Sequence, residues 1–127
     1  MSYEVKREIL GFENMTEVLI NEVDELFSTM IDANNPNISF TLVNPYLLRE
    51  YSFDVPTDIK VLLEINQNSN LSVYNIVVIR KPLENSTINF LAPIIVNNDN
   101  KKIAQAVLDK ERHPDFGMAE TIASFKE

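Results

Sequence analysis

The sequence has no cysteine, one histidine and two glycines in 127 residues, and each scarcity removes a class of chemistry. Without cysteine there is no disulfide, thiolate nucleophile or cysteine metal site. His113 alone assembles neither a two-histidine metal site nor a nucleophilic triad, and beside Pro114 it reads as a surface or capping residue. Two glycines leave no phosphate-cradling loop of the G-x-x-x-x-G-K type, and no D-x-[DN]-x-[DN]-G calcium loop occurs. No apolar run reaches the ~18 residues of a membrane span. The opening MSYEVKREIL lacks the basic stretch and long apolar segment of a signal peptide, so a cytoplasmic protein is expected, without membrane contact. Four N-x-[ST] triplets, starting at Asn14, Asn37, Asn70 and Asn85, are then compositional coincidence.

Positive charge is also short. Eleven basic residues against nineteen acidic ones give a net charge of −8, which repels phosphate backbones and excludes direct nucleic-acid binding as the expected role. The acidity either steers basic proteins to the surface or simply keeps the chain soluble. Carboxylates are the only catalytic candidates left. Asp54 and Asp58 flank Val55 and Pro56, and Glu22, Asp24 and Glu25 cluster, but nothing sets two carboxyls across a cleft about 5 to 9 Å apart. They read as solvated loops, so neither an enzyme nor a cofactor is expected.

What is present is a strand-rich pattern of single-domain size, able to hide roughly two-thirds of its unfolded surface. The stretch from Ile88 to Asn97, INFLAPIIVN, organises the rest. Its even positions are all apolar and its odd ones half apolar, as for a strand inside a closed or two-layered structure. Pro93 at its centre cannot donate to a ladder, so a bulge or edge is expected there, bending the strand at the corner of a small barrel or sandwich.

Taken in order, Ser2 to Ile9 alternates as a half-buried strand in which Tyr3, Val5 and Ile9 share a side and only Arg7 is discordant. Gly11 marks a turn needing positive φ. Thr16–Val23 and Leu26–Asp32 read as a hairpin around the acidic Glu22 to Glu25, residues 34–37 as a loop, and Ile38–Val43 as the next strand. Asn44 to Val55, NPYLLREYSFDV, is too apolar for an idle loop, and Pro45 ends the strand before it. Ile59, Leu62 and Leu63 recur at helical spacing after Pro56, with Asp58 suited to the helix start, which predicts one short helix. Leu71–Arg80 is a β-branched strand, and Ile103–Leu108 a last one. Met118, Ile122 and Phe125 fall on one helical stripe, predicting a terminal amphipathic helix that docks on the core or adjoins a partner groove.

Tyr46, Tyr51 and Phe53 suit a base-stacking platform only if a basic groove accompanies them, and none is evident. They are either core or the centre of a protein interface.

In this order the pieces resemble the FliW family of flagellar assembly factors. The similarity rests on ILGF near the start, NPYLLREYSFDVP, VYNIVVI, STINFLAPIIVN and QAVLD, and runs to about Asp109. Its most specific parts are Asn44 to Tyr46, Tyr51 to Pro56 and Asn89 to Pro93. Ile9 to Phe12 stands where many members carry Leu-Pro-Gly-Phe, and Asp115 to Glu127 extends past where many members stop. The resemblance implies a mainly β, small antiparallel β-barrel-like single domain, with residues 1–112 as barrel core and 115–127 as a C-terminal helical extension. It implies a monomer that is not an enzyme. It also implies two partners, flagellin and the RNA-binding translational repressor CsrA, competing for the protein so that flagellin synthesis follows secretion. A cytoplasmic chaperone for another extended substrate is the alternative. The expected partner surface combines the Asn44–Asp54 connection with the Pro93 bulge, through Asn44, Pro45, Tyr46, Arg49, Tyr51, Phe53, Asp54, Asn89 and Pro93.

Overall fold

A computed structural model describes residues 2–125. Its framework is nine strands and one short helix: β1 (Ser2–Arg7), β2 (Glu17–Glu22), β3 (Phe27–Asp32), β4 (Ser39–Val43), α1 (Thr57–Leu62), β5 (Leu71–Val78), β6 (Thr87–Ile88), β7 (Ile94–Asn97), β8 (Lys102–Gln105) and β9 (Glu120–Thr121). The hydrogen-bonded order β4-β3-β2-β1-β8-β7-β5 returns to β4 through a β4–β5 pairing, which closes a seven-stranded barrel. Closure pairs most of the edges that an open sheet would expose. The pairings are antiparallel except β1 with β8, so the expected antiparallel barrel contains one parallel seam. That seam arises because the first strand and the late β8 enter the barrel in the same direction.

One cluster takes apolar side chains from all seven strands: Tyr3, Val18, Met30, Leu42, Tyr74, Ile76, Ile94, Val96 and Ile103 among them. It is the barrel interior. Two further clusters lie on the outer face. Ile59 and Leu63 of the α1 segment cover Ile95, Ala104 and Ala106, and Tyr51, Phe90, Leu108, Phe116 and Ile122 cover Val43 and Val77. Strands β5, β7 and β8 therefore have protein on both sides, which is why β7 is buried throughout and why its sequence reads as apolar on one face and mixed on the other.

The discordant Arg7 is explained by a bulge. Val5 pairs with Ile103 and Arg7 with Ala104, so one extra residue on β1 flips the alternation and turns Arg7 outward to Asp58 at 2.7 Å. Gly11 does adopt a φ of 87°. Asp24 shapes the β2–β3 turn by accepting from the amides of Leu26 and Phe27 at 2.9 and 2.7 Å, a local side-chain turn of the kind aspartate favours. Pro56 lies at the N-cap of α1 and Glu64, at φ 55°, follows its end. Asn97 and Asn100 cover the helix terminus by donating to the Leu63 carbonyl at 2.8 and 2.9 Å.

Two expectations are corrected. Ile88 to Asn97 is not one strand but β6 and β7, both antiparallel to β5, with residues 89–93 thrown out between them. From Tyr74 to Val77 β5 advances three residues while its partner advances six, from Ile88 to Ile94, so the bulge holds three extra residues. The expected helix over residues 115–127 is absent from the described part, and Lys126 and Glu127 lie outside it. After a coil, β9 pairs with β6 and one 3-10 turn spans Ile122–Phe125. Ile122 is buried whereas Met118 is 70% exposed, so the stripe that suggested a helix is not one face. The amides of this segment instead find tertiary acceptors: Ile122 donates to the Ser86 carbonyl at 2.9 Å.

Candidate functional site

The connection from β4 to α1 starts with a cap. Asn44 accepts from the Tyr46 amide at 3.1 Å and Pro45 enters the first turn of a 3-10 segment, Pro45–Leu47. Pro45 is buried, and the turn holds Tyr46 and Leu47 outward at 53% and 54% exposure. Exposed apolar side chains on a fixed turn are a recognition feature, and Leu47 shares a shallow pocket with Leu26 and Phe27 at the neighbouring hairpin base.

Beneath the turn lies Tyr51, which is 4% exposed. Its ring touches Tyr46, Phe53, Phe90 and Phe116 at centroid distances of 6.1, 5.4, 5.5 and 4.7 Å. Its hydroxyl donates to the Phe90 carbonyl at 2.5 Å and accepts from Asn75 at 3.3 Å. Burial, more than any neighbour, pushes that hydroxyl well above the ordinary tyrosine range, so it stays a neutral donor. Tyr46 is also shifted upward by burial.

The bulge is bound on all sides. Asn89 donates its amide to Ile76 at 3.4 Å and its carbonyl accepts from Asn75 at 2.9 Å. Its side chain accepts from the Leu91 amide at 3.0 Å. Phe90 donates to Gly117 at 2.9 Å, Leu91 accepts from Leu108 at 2.7 Å, and Pro93 accepts from Ala106 at 2.9 Å. Gln105 donates to Ala92 at 3.1 Å while accepting from the Leu10 amide at 2.7 Å. A bulge that leaves the ladder needs such partners, because buried backbone groups without them are costly.

Arg49 joins this assembly to the C-terminal segment. Its guanidinium lies 5.1 Å from the Phe90 ring and 4.9 Å from that of Phe116, and it bonds both Glu120 oxygens at 3.3 and 3.0 Å. Glu120 also accepts from the Gly117 amide at 2.6 Å. A largely buried, ring-flanked pair of this kind, with one guanidinium nitrogen spanning both carboxylate oxygens, is worth more than an exposed one.

The nine residues expected at a partner surface thus separate into two groups. Tyr46 and Asp54 are exposed, and Asn44, Arg49, Phe53 and Asn89 are partly so. Pro45, Tyr51 and Pro93 are buried and act on the surface only by shaping it. Leu47 and Val23, 54% and 64% exposed, were not singled out from the sequence. Leu47 follows Tyr46 directly and was within reach of the same reasoning, whereas Val23 becomes conspicuous only once the hairpin places it at a turn. Phe116 and Glu120 were missed as parts of the assembly because they come from the tail.

Beside the turn, a groove of about 540 Å³ separates Tyr46, Phe53 and Val55 from Leu71 to Tyr74. Its lining has no charged side chain, so it suits an apolar protein segment better than an ionic small molecule. Among the described residues no three histidine, aspartate or glutamate side chains gather as a metal site, and no helix is long and apolar enough to cross a membrane.

Known proteins give the same architecture a context. The family model described as "FliW protein" matches residues 2–116. The chain is 50% identical over 125 residues to Flagellar assembly factor FliW 2 of Wolinella succinogenes, covering 98% of this chain and 92% of that one. Flagellar assembly factor FliW 1 of the same organism is 48% identical, with 98% of both chains covered. Flagellar assembly factor FliW of Sulfurimonas denitrificans is 43% identical at the same coverage. A crystal structure of the flagellar assembly factor FliW superimposes with a TM-score of 0.87 at 20% identity, covering 99% of this chain and 86% of that one, a likeness of fold.

Proposed function

The chain belongs to the FliW family of flagellar assembly factors, which are not enzymes, and on that premise we propose that it binds flagellin and antagonises the RNA-binding repressor CsrA. Held by this protein, CsrA cannot repress flagellin synthesis; unsecreted flagellin captures the protein and releases CsrA. The two exclude one another either by sharing a surface or by favouring different states of the barrel. The protein acts in the cytoplasm as a monomer.

The observation that carries the reading is the braced turn at Tyr46 and Leu47. Two half-exposed apolar side chains stand on a capped 3-10 segment, above a buried tyrosine and a hydrogen-bonded bulge that fix their position. Fixed apolar anchors lose little freedom on binding, which favours affinity. The acidic surface, net −8, suits a basic RNA-binding partner. Tyr46→Ala tests the site. It removes a ring that is 53% exposed, so the melting temperature should change little while the affinity for flagellin or CsrA falls at least tenfold, as for an interface anchor. Unchanged affinity for both overturns this placement of the surface.

The alternative, a chaperone for some other extended substrate, draws on the groove beside the turn. Co-purification with flagellin and CsrA, separately and in competition, decides between the two readings. Recovery of neither defeats the proposal.

A further inference from the structure

The barrel closes along a short seam. Strands β4 and β5 pair only from Thr41 with Val77 to Val43 with Asn75. Past that point the chain leaves β4 at Asn44 and Pro45, while β5 runs on to Leu71 with β7 on its other side. Residues 71–74 are thus flanked by a strand on one side only.

The direction of their backbone groups follows from the ladder. The Asn44 amide donates to the Leu26 carbonyl at 2.8 Å, so Asn44 faces β3 and, by alternation, Thr41 and Val43 face β5. Their partners Val77 and Asn75 therefore face β4. Continuing the alternation aims the N–H and C=O groups of Val73 and Leu71 out of the edge. The opposite set confirms the phase: the carbonyls of Ile76 and Asn70 accept from the amides of Asn89 and Asn98 on the other side. All four consecutive residues, Leu71 to Tyr74, line the 540 Å³ groove, as expected of a strand viewed edge-on rather than face-on.

We infer that this edge receives an extended segment of the partner protein as an added strand, its alternate apolar side chains entering the groove between β5 and Phe53. The inference rests on the reading of partner binding given above and specifies its mode. Outward backbone groups of two alternate residues call for a strand, since a helix satisfies its own backbone. Charge selects the occupant. No lysine or arginine lines the groove, and Glu22 is close enough to Tyr74 at its end to help, after burial and Tyr3, to raise the Tyr74 hydroxyl. In a chain of net charge −8 this rim suits a segment with a cationic flank, so the occupant is a segment of the basic partner CsrA.

Amide hydrogen exchange on the full chain, free and bound to CsrA, tests the inference. The Leu71 and Val73 amides, turned to solvent in the free protein, slow at least tenfold in the complex. CsrA binding without that protection overturns the strand mode and leaves the functional reading standing. Protection by flagellin and not by CsrA overturns the choice of occupant. Failure of both proteins to bind defeats the functional reading and this inference with it. A second arm uses Val73→Pro, which deletes the outward N–H without touching the ladder to β7. It lowers CsrA affinity by about tenfold, whereas Val73→Thr, which keeps the donor, binds as the parent chain does; equal affinity of the two variants overturns the inference.

Discussion

Tyr51→Phe isolates the brace under the exposed turn. The substitution keeps the ring and its contacts with Phe53, Phe90 and Phe116 and deletes one hydroxyl in a site that is 4% exposed. What is lost is the donor to the Phe90 carbonyl at 2.5 Å and an acceptor for the Asn75 side chain at 3.3 Å. Asn75 keeps its bond to the Asn89 carbonyl at 2.9 Å, so the cost falls mainly on the first. Removing one partner of a buried hydrogen bond costs about 1–3 kcal/mol, and for a domain of this size each kcal/mol lowers the melting temperature by about 4 °C. The variant should melt about 4–12 °C lower, with an unchanged urea slope because the surface exposed on unfolding is the same. Combined with Asn75→Ala, the two losses should be non-additive by at least about 0.5 kcal/mol, since both act on the same bulge. Affinity for flagellin and CsrA should stay within about twofold, because the hydroxyl faces inward. A loss of stability below about 0.5 kcal/mol, or additivity of the pair, would refute the view that this tyrosine anchors residues 89–93.

Association with CsrA should weaken as salt rises toward ~0.5 M, where the screening length falls to a few Å; a salt-independent rate rejects electrostatic steering. Deleting the residues after Asp115 removes Phe116, Ile122 and Glu120 from the outer cluster and the Arg49 pair, and should cost at least about 3 kcal/mol, read by urea denaturation. Gly11→Ala places a side chain at φ 87° with no atom within 4 Å of its Cβ, so the expected loss of about 1 kcal/mol is backbone strain alone. The Lys102 partner holds the Glu64 carboxyl below its ordinary value of 4.5. The stabilisation it contributes is present above that value and is lost as pH falls through the lower folded-state pKa, a titration visible by NMR that Lys102→Ala should return to the ordinary range.

Much of the barrel was legible from local pattern. The β2–β3 hairpin, β5 and the short helix follow from alternation, β-branching and apolar spacing, because those signals record which face meets the core. Two features were not. The tail carries Met118, Ile122 and Phe125 at helical spacing, yet its backbone bonds go to Ser86 and to β6, tertiary partners that outweigh a weak local preference. A break at Pro93 follows from its missing donor, but the three-residue excess is set by pairing with β5, which no reading of residues 88–97 alone contains. At the candidate site, the sequence marks the aromatic connection but not its orientation. Tyr46 and Tyr51 are alike in composition and context, and only packing against Phe90 and Phe116 assigns one to the surface and the other to the interior.

The parallel seam between β1 and β8 has a consequence for the order of events during synthesis. Glu4 finds its neighbour in Lys102, far along the chain, so the first strand waits beside β2 with one flank open until Lys102–Gln105 has emerged. Contacts this distant in sequence slow folding, and the barrel cannot close on a nascent chain that stops before residue 102. A nascent chain that stops short of β8 therefore offers no completed enclosure, and the barrel closes in a single step once that strand is available.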